Sequence, residues 1–272
     1  MNENTTEIPR ALSKPGEALQ RRRGSPQIGR VAFVDMIMGM PISIHVKAAD
    51  TARPEIAAAA DNAFATLRKV DALFSRWRSD SELSRLQAGD IAAGDCHPWQ
   101  AEVLELALQG EEATDGLFSA WHASDGSGRA AYDPTGLVKG WAVERAAELL
   151  RVVPRISFCL SAGGDMVVGV GAGMTGIAPN WLIGIESPYT PGTYAATVEV
   201  ATGAVATSGS AARGAHVIDP RSSEPITRAG SATVVGPHLT WADIWATAAY
   251  VDPLAAHRLM TRRAAAYRLT ML

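Results

Sequence analysis

From residue 156 to residue 235 the chain reads as strand after strand, with no helical pattern between them. The runs fall at 156–160, 165–170, 181–186, 194–200, 204–206 and 232–235, separated by glycine- and proline-containing turns. Parallel neighbours need a long crossover, usually a helix, so such a run points to antiparallel or mixed pairing. Helical patterns gather before and after it instead. The chain is therefore expected to be α+β, with mixed or antiparallel sheets and packed helices, not a doubly wound parallel sheet.

Two further strands precede the helices, at 31–34 and 40–46. In the second, Met40, Ile42, Ile44 and Val46 alternate with Ser43, His45 and Lys47, the period of a half-buried strand. Pro54 then opens a helix whose Ile56, Ala60, Ala63, Leu67, Val70 and Phe74 form one apolar stripe. Residues 81–86 read as a turn. Pro98 begins a second helix that stops near Asp115-Gly116, and 118–132 reads as a loop. Asp133-Pro134-Thr135-Gly136 leads into a third helix carrying Leu137, Trp141, Ala142, Ala146, Leu149 and Leu150. Helices at 241–250 and 253–263 and a strand at 267–272 close the chain.

Residues 1–30 are polar, contain Pro9, Pro15, Pro26 and the run Arg21-Arg22-Arg23, and read as a flexible leader. The remainder, 31–272, is expected to be one domain or two intertwined subdomains. No apolar segment follows the arginines as a secretion signal would require, and no apolar run is long enough to span a membrane. Cys96 and Cys159 are far apart, without metal-ligand spacing, which fits a reducing compartment. A cytoplasmic location is expected. A net charge of −3 with no basic stripe argues against nucleic acid as a partner.

The stretch 203–220, GAVATSGSAARGAHVIDP, carries the densest chemistry. Ala204 to Ala206 reads as a strand leaving the core, and Thr207-Ser208-Gly209-Ser210 as a small polar loop. Arg213 and His216 follow, and Val217-Ile218 returns as a strand ending at Asp219-Pro220. Donors, a guanidinium and an imidazole suit an anionic, phosphorylated substrate, while a polar hairpin is the plain alternative. A hydrolase triad of Ser208, His216 and Asp219 lacks the G-x-S-x-G context around the serine.

Two helix positions add to this. Lys139 falls in the first turn of its helix, where a cation opposes the dipole and an anionic ligand would relieve the conflict. Asp243 and Thr247, four apart, project hard oxygen ligands of the kind Mg²⁺ accepts from one helix face. A surface lysine and an ordinary first-turn aspartate are the competing readings.

Taken in order, several stretches resemble the FAD:protein FMN transferases, the ApbE-type flavin transferases. They are Met38-Gly39-Met40, FSRWRSDSELSRL from Phe74, DPTGLVKGWAVERAAELL from Asp133 and SAGGD from Ser161. WLIGIESP from Trp181, AVATSG, HVIDPRS and the Ala242-Asp243 to Thr247 helix complete them. The resemblance runs from about Val31 to the end and implies a T-fold-related α+β architecture. It implies FAD contacts at Met38, Trp77, Leu117, Phe118, Ser119, Asp133 and Val217, with Lys139 and Ser208 as further donors. It implies Mg²⁺ ligands at Asp243, Thr247 and the Gly136 carbonyl, and His216 as the base. The implied reaction is Mg²⁺-dependent transfer of FMN from FAD to a threonine or serine of an acceptor flavoprotein, releasing AMP. An FAD pyrophosphatase and a non-catalytic FAD-binding protein stay open as alternatives, as does a homodimer. The chain departs from the family pattern at Ser119, where an acidic residue is usual, in the short connection from there to Asp133, and in lacking an export signal or lipobox.

Overall fold

The structure, a computed structural model, describes residues 28–123, 130–175, 179–210 and 217–272. Its frame is a seven-stranded sheet in the order β1-β2-β5-β6-β9-β12-β13, every pair antiparallel. The strands are β1 (Gly29–Ile37), β2 (Met40–Ala48), β5 (Ser157–Ala162), β6 (Asp165–Val170), β9 (Gly203–Gly209), β12 (Ser231–Gly236) and β13 (Arg268–Met271). Three two-stranded ribbons complete the strands. They are β3 (Trp121–Ala123) with β4 (Ala130–Tyr132), β7 (Trp181–Glu186) with β8 (Tyr194–Val200), and β10 (Ile218–Asp219) with β11 (Glu224–Pro225). The α+β class expected from the sequence is what the chain adopts.

The helices are α1 (Pro54–Phe74), α2 (Glu82–Ala88), α3 (Pro98–Ala113), α4 (Thr135–Arg151), α5 (Leu239–Val251) and α6 (Pro253–Arg263). Prolines at the starts of α1, α3 and α6 occupy positions whose N–H has no helical partner anyway. The main core lies between one face of the sheet and the helices, joining Ile42, Ile44, Leu160 and Val234 to Leu67, Trp141, Ala146 and Trp245. Helix α5 is apolar almost all round and is buried between the sheet, α4 and α6. A smaller core on the opposite face puts Trp181, Ile183 and Val200 of the β7–β8 ribbon over Cys159, Val168 and Val205. Strand β5 is consequently buried on both faces and shows no alternation.

Several local details differ from the sequence reading. Residues 81–86, expected as a turn, begin α2. Ser81 caps it by accepting from Ser84 N at 3.1 Å, and Gly89 ends it with φ +80°. The 118–132 loop contains the β3–β4 ribbon. Ser208, expected in a loop, lies on β9 opposite Ala232. Ile218 pairs with Pro225 in its own ribbon and does not return beside β9. Ile28 to Arg30 belong to the described residues, and Gly29 already pairs with Ala48. The rest of the expected leader lies outside them.

Candidate active site

Antiparallel register decides which chemistry meets. In β6, Asp165 and Val167 point to the helix side, since Val167 pairs with Leu160 and Ala204 of the main core. In β9, Ala204, Ala206 and Ser208 point the same way. The β1–β2 turn at Met38-Gly39, the β5–β6 turn at Gly163-Gly164 and the end of β9 all leave the same end of the sheet. There α5 lays Asp243 against Lys139 and Gly140 of α4 and, one turn on, Thr247 against Ser208 of β9.

The contacts at that end are direct. Lys139 Nζ stands 2.5 Å from Asp165 Oδ2 and 4.0 Å from Asp243 Oδ1. Asp165 Oδ1 accepts from Thr207 N at 3.1 Å, and Ser208 Oγ lies 3.1 Å from Thr247 Oγ1. Both carboxylates are buried, Asp165 fully and Asp243 to within 3%. The apolar surroundings of α5 bury Asp243.

Asp243 Oδ2 is buried without a hydrogen bond of ordinary geometry, although the Gly140 N–H partly offsets its charge. Burial first, and the neighbouring Asp165 second, push the Asp243 carboxyl up to about 7, against the pull of Lys139. Gly140 makes this closeness feasible. A Cβ there would sit 3.0 Å from Asp243 Cβ and Oδ2, and 3.2 Å from the Leu239 carbonyl.

Around this centre the other expected residues take varied positions. Met38 and Gly39 both have positive φ, 55° and 71°, as the central pair of a two-residue hairpin turn requires. Asp133 Oδ1 accepts from Thr135 N at 3.1 Å and Thr135 Oγ1 at 2.7 Å, and the carboxylate is ion-paired with Arg76. That pair ties the α1–α2 loop to the start of α4. Trp77, next along the loop, is 95% exposed. Leu117 and Phe118 are core side chains, and Thr114 Oγ1 accepts the Phe118 N–H at 3.0 Å. Ser119 Oγ accepts from Trp121 N at 3.1 Å. Gly136 is exposed in the first turn of α4. Val217 is buried, and its carbonyl accepts from Ile226 N at 2.8 Å. His216 and Arg213 lie outside the described residues.

The structure thus puts Lys139 beside Asp243 and Ser208 against Thr247, and adds Asp165, which pairs with Lys139 and takes the N–H of Thr207 next to Ser208; the sequence reading left Asp165 among the quoted SAGGD residues. Among the described residues, no group of three or more His, Cys, Asp or Glu side chains is placed to hold a metal ion.

The profile of the ApbE family matches residues 38–124 and 122–269. The chain belongs to the ApbE family. Among solved structures, the ApbE protein of Thermotoga maritima superposes with a TM-score of 0.72 at 19% identity, covering 89% of this chain and 94% of that one. The flavin transferase ApbE of Vibrio cholerae gives 0.68 at 17% identity, covering 90% and 97%. The flavinyl transferase ApbE of Pseudomonas stutzeri, in its apo form, gives 0.67 at 19%, covering 90% and 95%. At these identities the likeness carries the fold. None of the curated proteins matches. Among the described residues of this ApbE-family chain no helix is long and apolar enough to cross a membrane.

Proposed function

We propose that this chain transfers the FMN moiety of FAD to a threonine or serine hydroxyl of an acceptor flavoprotein, releasing AMP. The carrying observation is Asp243: a buried carboxylate with an unbonded oxygen, beside a second buried carboxylate, in a chain of the ApbE family. Two carboxylates facing one ammonium leave a buried negative charge that a further cation would offset. Carboxylates and hydroxyls are all hard oxygen donors, so the residues present suit Mg²⁺. Asp243, Thr247 and the Gly136 carbonyl would hold it, with Asp165 alongside. When bound, the ion offsets pyrophosphate charge and stabilises the charge that develops on the departing AMP.

The chain's own residues account for the rest. Lys139 supplies fixed positive charge for the pyrophosphate oxygens, held in place by Asp165. Ser208 orients the Thr247 hydroxyl through their shared hydrogen bond. Met38, Asp133 and Val217 border the flavin, and exposed Trp77 offers it a flat π face. His216 takes the proton of the acceptor hydroxyl as its oxygen bonds to the FMN phosphorus. The bond from that phosphorus to the AMP phosphate oxygen breaks, and AMP leaves as a monoester.

AMP release and acceptor mass, followed together in mixtures of FAD, Mg²⁺ and a candidate flavoprotein, test this. Acceptor-dependent AMP release with a covalent FMN adduct is expected. AMP release without adduct would make the chain an FAD pyrophosphatase, and bound but unconsumed FAD a binding protein. His216→Asn is expected to slow single-turnover transfer from prebound FAD by roughly 10²–10⁴-fold, the usual loss for a positioned base. A near-wild-type rate removes His216 from the mechanism.

A further inference from the structure

The face of the sheet turned away from the helices carries a second cluster. Arg30 of β1 and Lys47 of β2 are direct cross-strand partners, and His45 shares their face two residues along. Like charges placed opposite one another across a strand pair are destabilising. None of the ion pairs among the described residues involves Arg30 or Lys47.

What holds them is neutral. Arg30 Nη2 donates to His45 Nδ1 at 3.1 Å, which leaves the ring's proton on Nε2. Lys47 Nζ lies 3.9 Å from the Trp181 ring centroid and donates to the Asn180 carbonyl at 3.0 Å. Arg30 Cζ stands 5.5 Å from the same ring. Trp181 is fixed in turn, its Nε1 donating to Ser157 Oγ at 2.8 Å. From β5, buried Cys159 lies under the cluster; from β8, Glu199 is engaged by Asn180 Nδ2 at 3.1 Å. Burial and the Arg30 charge hold both His45 and Lys47 below their ordinary pKa values.

We propose that Arg30, His45 and Lys47 form a binding site for a phosphate-class oxyanion on the outer face of the sheet, separate from the Asp243 centre. A guanidinium, an ammonium and an imidazole N–H approach from two strands, so they offer donors in different directions to an ion with several oxygens. A doubly charged phosphate also balances the two fixed cations, where a carboxylate balances one. The ion supplies the negative charge that no ion pair among the described residues supplies there, and relieves the Arg30–Lys47 repulsion. The ligand is either free phosphate or the phosphate group of an ester.

The test is NMR of the His45 ring in the full chain, assigned with His45→Gln, during titration with inorganic phosphate at constant ionic strength. Chloride and acetate serve as controls. Because His45 lies across the sheet from Lys139 and Ser208, its signals report this site and not binding at the flavin-transfer centre. Saturable movement of the His45 signals is expected, with affinity falling about tenfold in Arg30→Gln and in Lys47→Gln, as loss of one charged hydrogen bond implies. Arg30 is exposed and Lys47 half-exposed, and equal melting temperatures confirm that the variants fold. A parallel titration with AMP identifies the source: tighter binding than phosphate points to an ester, equal binding to the free ion. Absence of saturation, equal response to acetate, or unchanged affinity in both variants overturns the site.

Discussion

Glu102 and Asp243 are both carboxylates packed against helix α4, yet their oxygens are treated differently. Glu102 Oε1 accepts from Trp141 Nε1 at 2.9 Å, and both its oxygens take Arg145 Nη2, at 2.5 and 2.6 Å. That guanidinium lies over the Trp99 and Trp141 rings at 4.9 and 4.8 Å, and Glu102 keeps partial access to water. Asp243 is closed off from solvent, lacks a full set of hydrogen-bond donors, and shares one lysine with Asp165. The first arrangement joins α3 to α4 and leaves neither Glu102 oxygen unbonded, although Arg145 Nε is buried without a hydrogen-bond partner. The second is incomplete in the same sense that a socket is, since leaving buried charge uncompensated costs several kcal/mol unless something binds or the group takes a proton. The two arrangements differ on one helix: Trp141 and Arg145 serve packing, and Lys139 belongs to the proposed site.

Asp243→Asn is the strongest way to break this comparison. Flavin transfer should fall by about 10²–10³-fold or more, the range for losing an electrostatic group at a reacting centre. Single-turnover rates at saturating FAD would measure it. A variant as fast as wild type would mean that the unbonded oxygen has no part in the reaction.

The same substitution should change stability in the opposite direction. The Asp243 carboxyl is raised from 3.8 to about 7, so the folded protein retains a proton that the unfolded chain has lost across that window. Its contribution is therefore full below about pH 4 and disappears as pH rises toward 7. In metal-free buffer, urea unfolding should show wild type losing stability between those limits. Asp243→Asn should lose less and be the more stable near neutrality, by on the order of 1–3 kcal/mol. Added Mg²⁺ should narrow the gap by stabilising wild type. Parallel pH profiles for the two proteins would contradict the assignment.

Gly140→Ala sharpens the role of close packing. The new Cβ, 3.0 Å from Asp243 Cβ and Oδ2, must part α4 from α5 or turn the carboxylate. A loss of about 1–3 kcal/mol is expected, as for other overpacked interiors. Transfer should fall with it. Wild-type activity in a destabilised variant would show that the Asp243 geometry tolerates displacement.

The smallest effect belongs to the Glu102 cluster. Glu102→Ala should cost about 1 kcal/mol, because both Glu102 and Arg145 are partly exposed and their attraction is screened. Transfer should be unchanged. A large drop in rate would move Glu102 from the packing of α3 and α4 into the site.

Part of the site is legible in the sequence. Helical spacing puts Asp243 and Thr247 one turn apart on one face, and Lys139 stands out as a cation near a helix start, although α4 begins at Thr135 and so carries Lys139 just past its first turn. Asp165 was less visible. Strand β6 runs Asp165, Met166, Val167, Val168, apolar on both faces, so its alternation does not say which face the aspartate joins. Only the register with β5 and β9 turns it toward Lys139. Burial of Asp243 was hidden for the same reason, since a helix apolar all round has no polar face to orient it. Helix α2 was missed because it buries only Leu83, leaving its Ser81 cap and Gly89 stop as the local signals. Trp77 illustrates the converse: its motif is easy to find, while its exposed ring acquires a role only with a ligand against it.

The most direct test of the central claim is intact-mass measurement of a candidate acceptor flavoprotein, mixed with FAD, Mg²⁺ and either wild type or Asp243→Asn. The account predicts an FMN phosphoester on one acceptor threonine or serine with wild type, and an unmodified acceptor with the variant. Equal labelling by both proteins would contradict it.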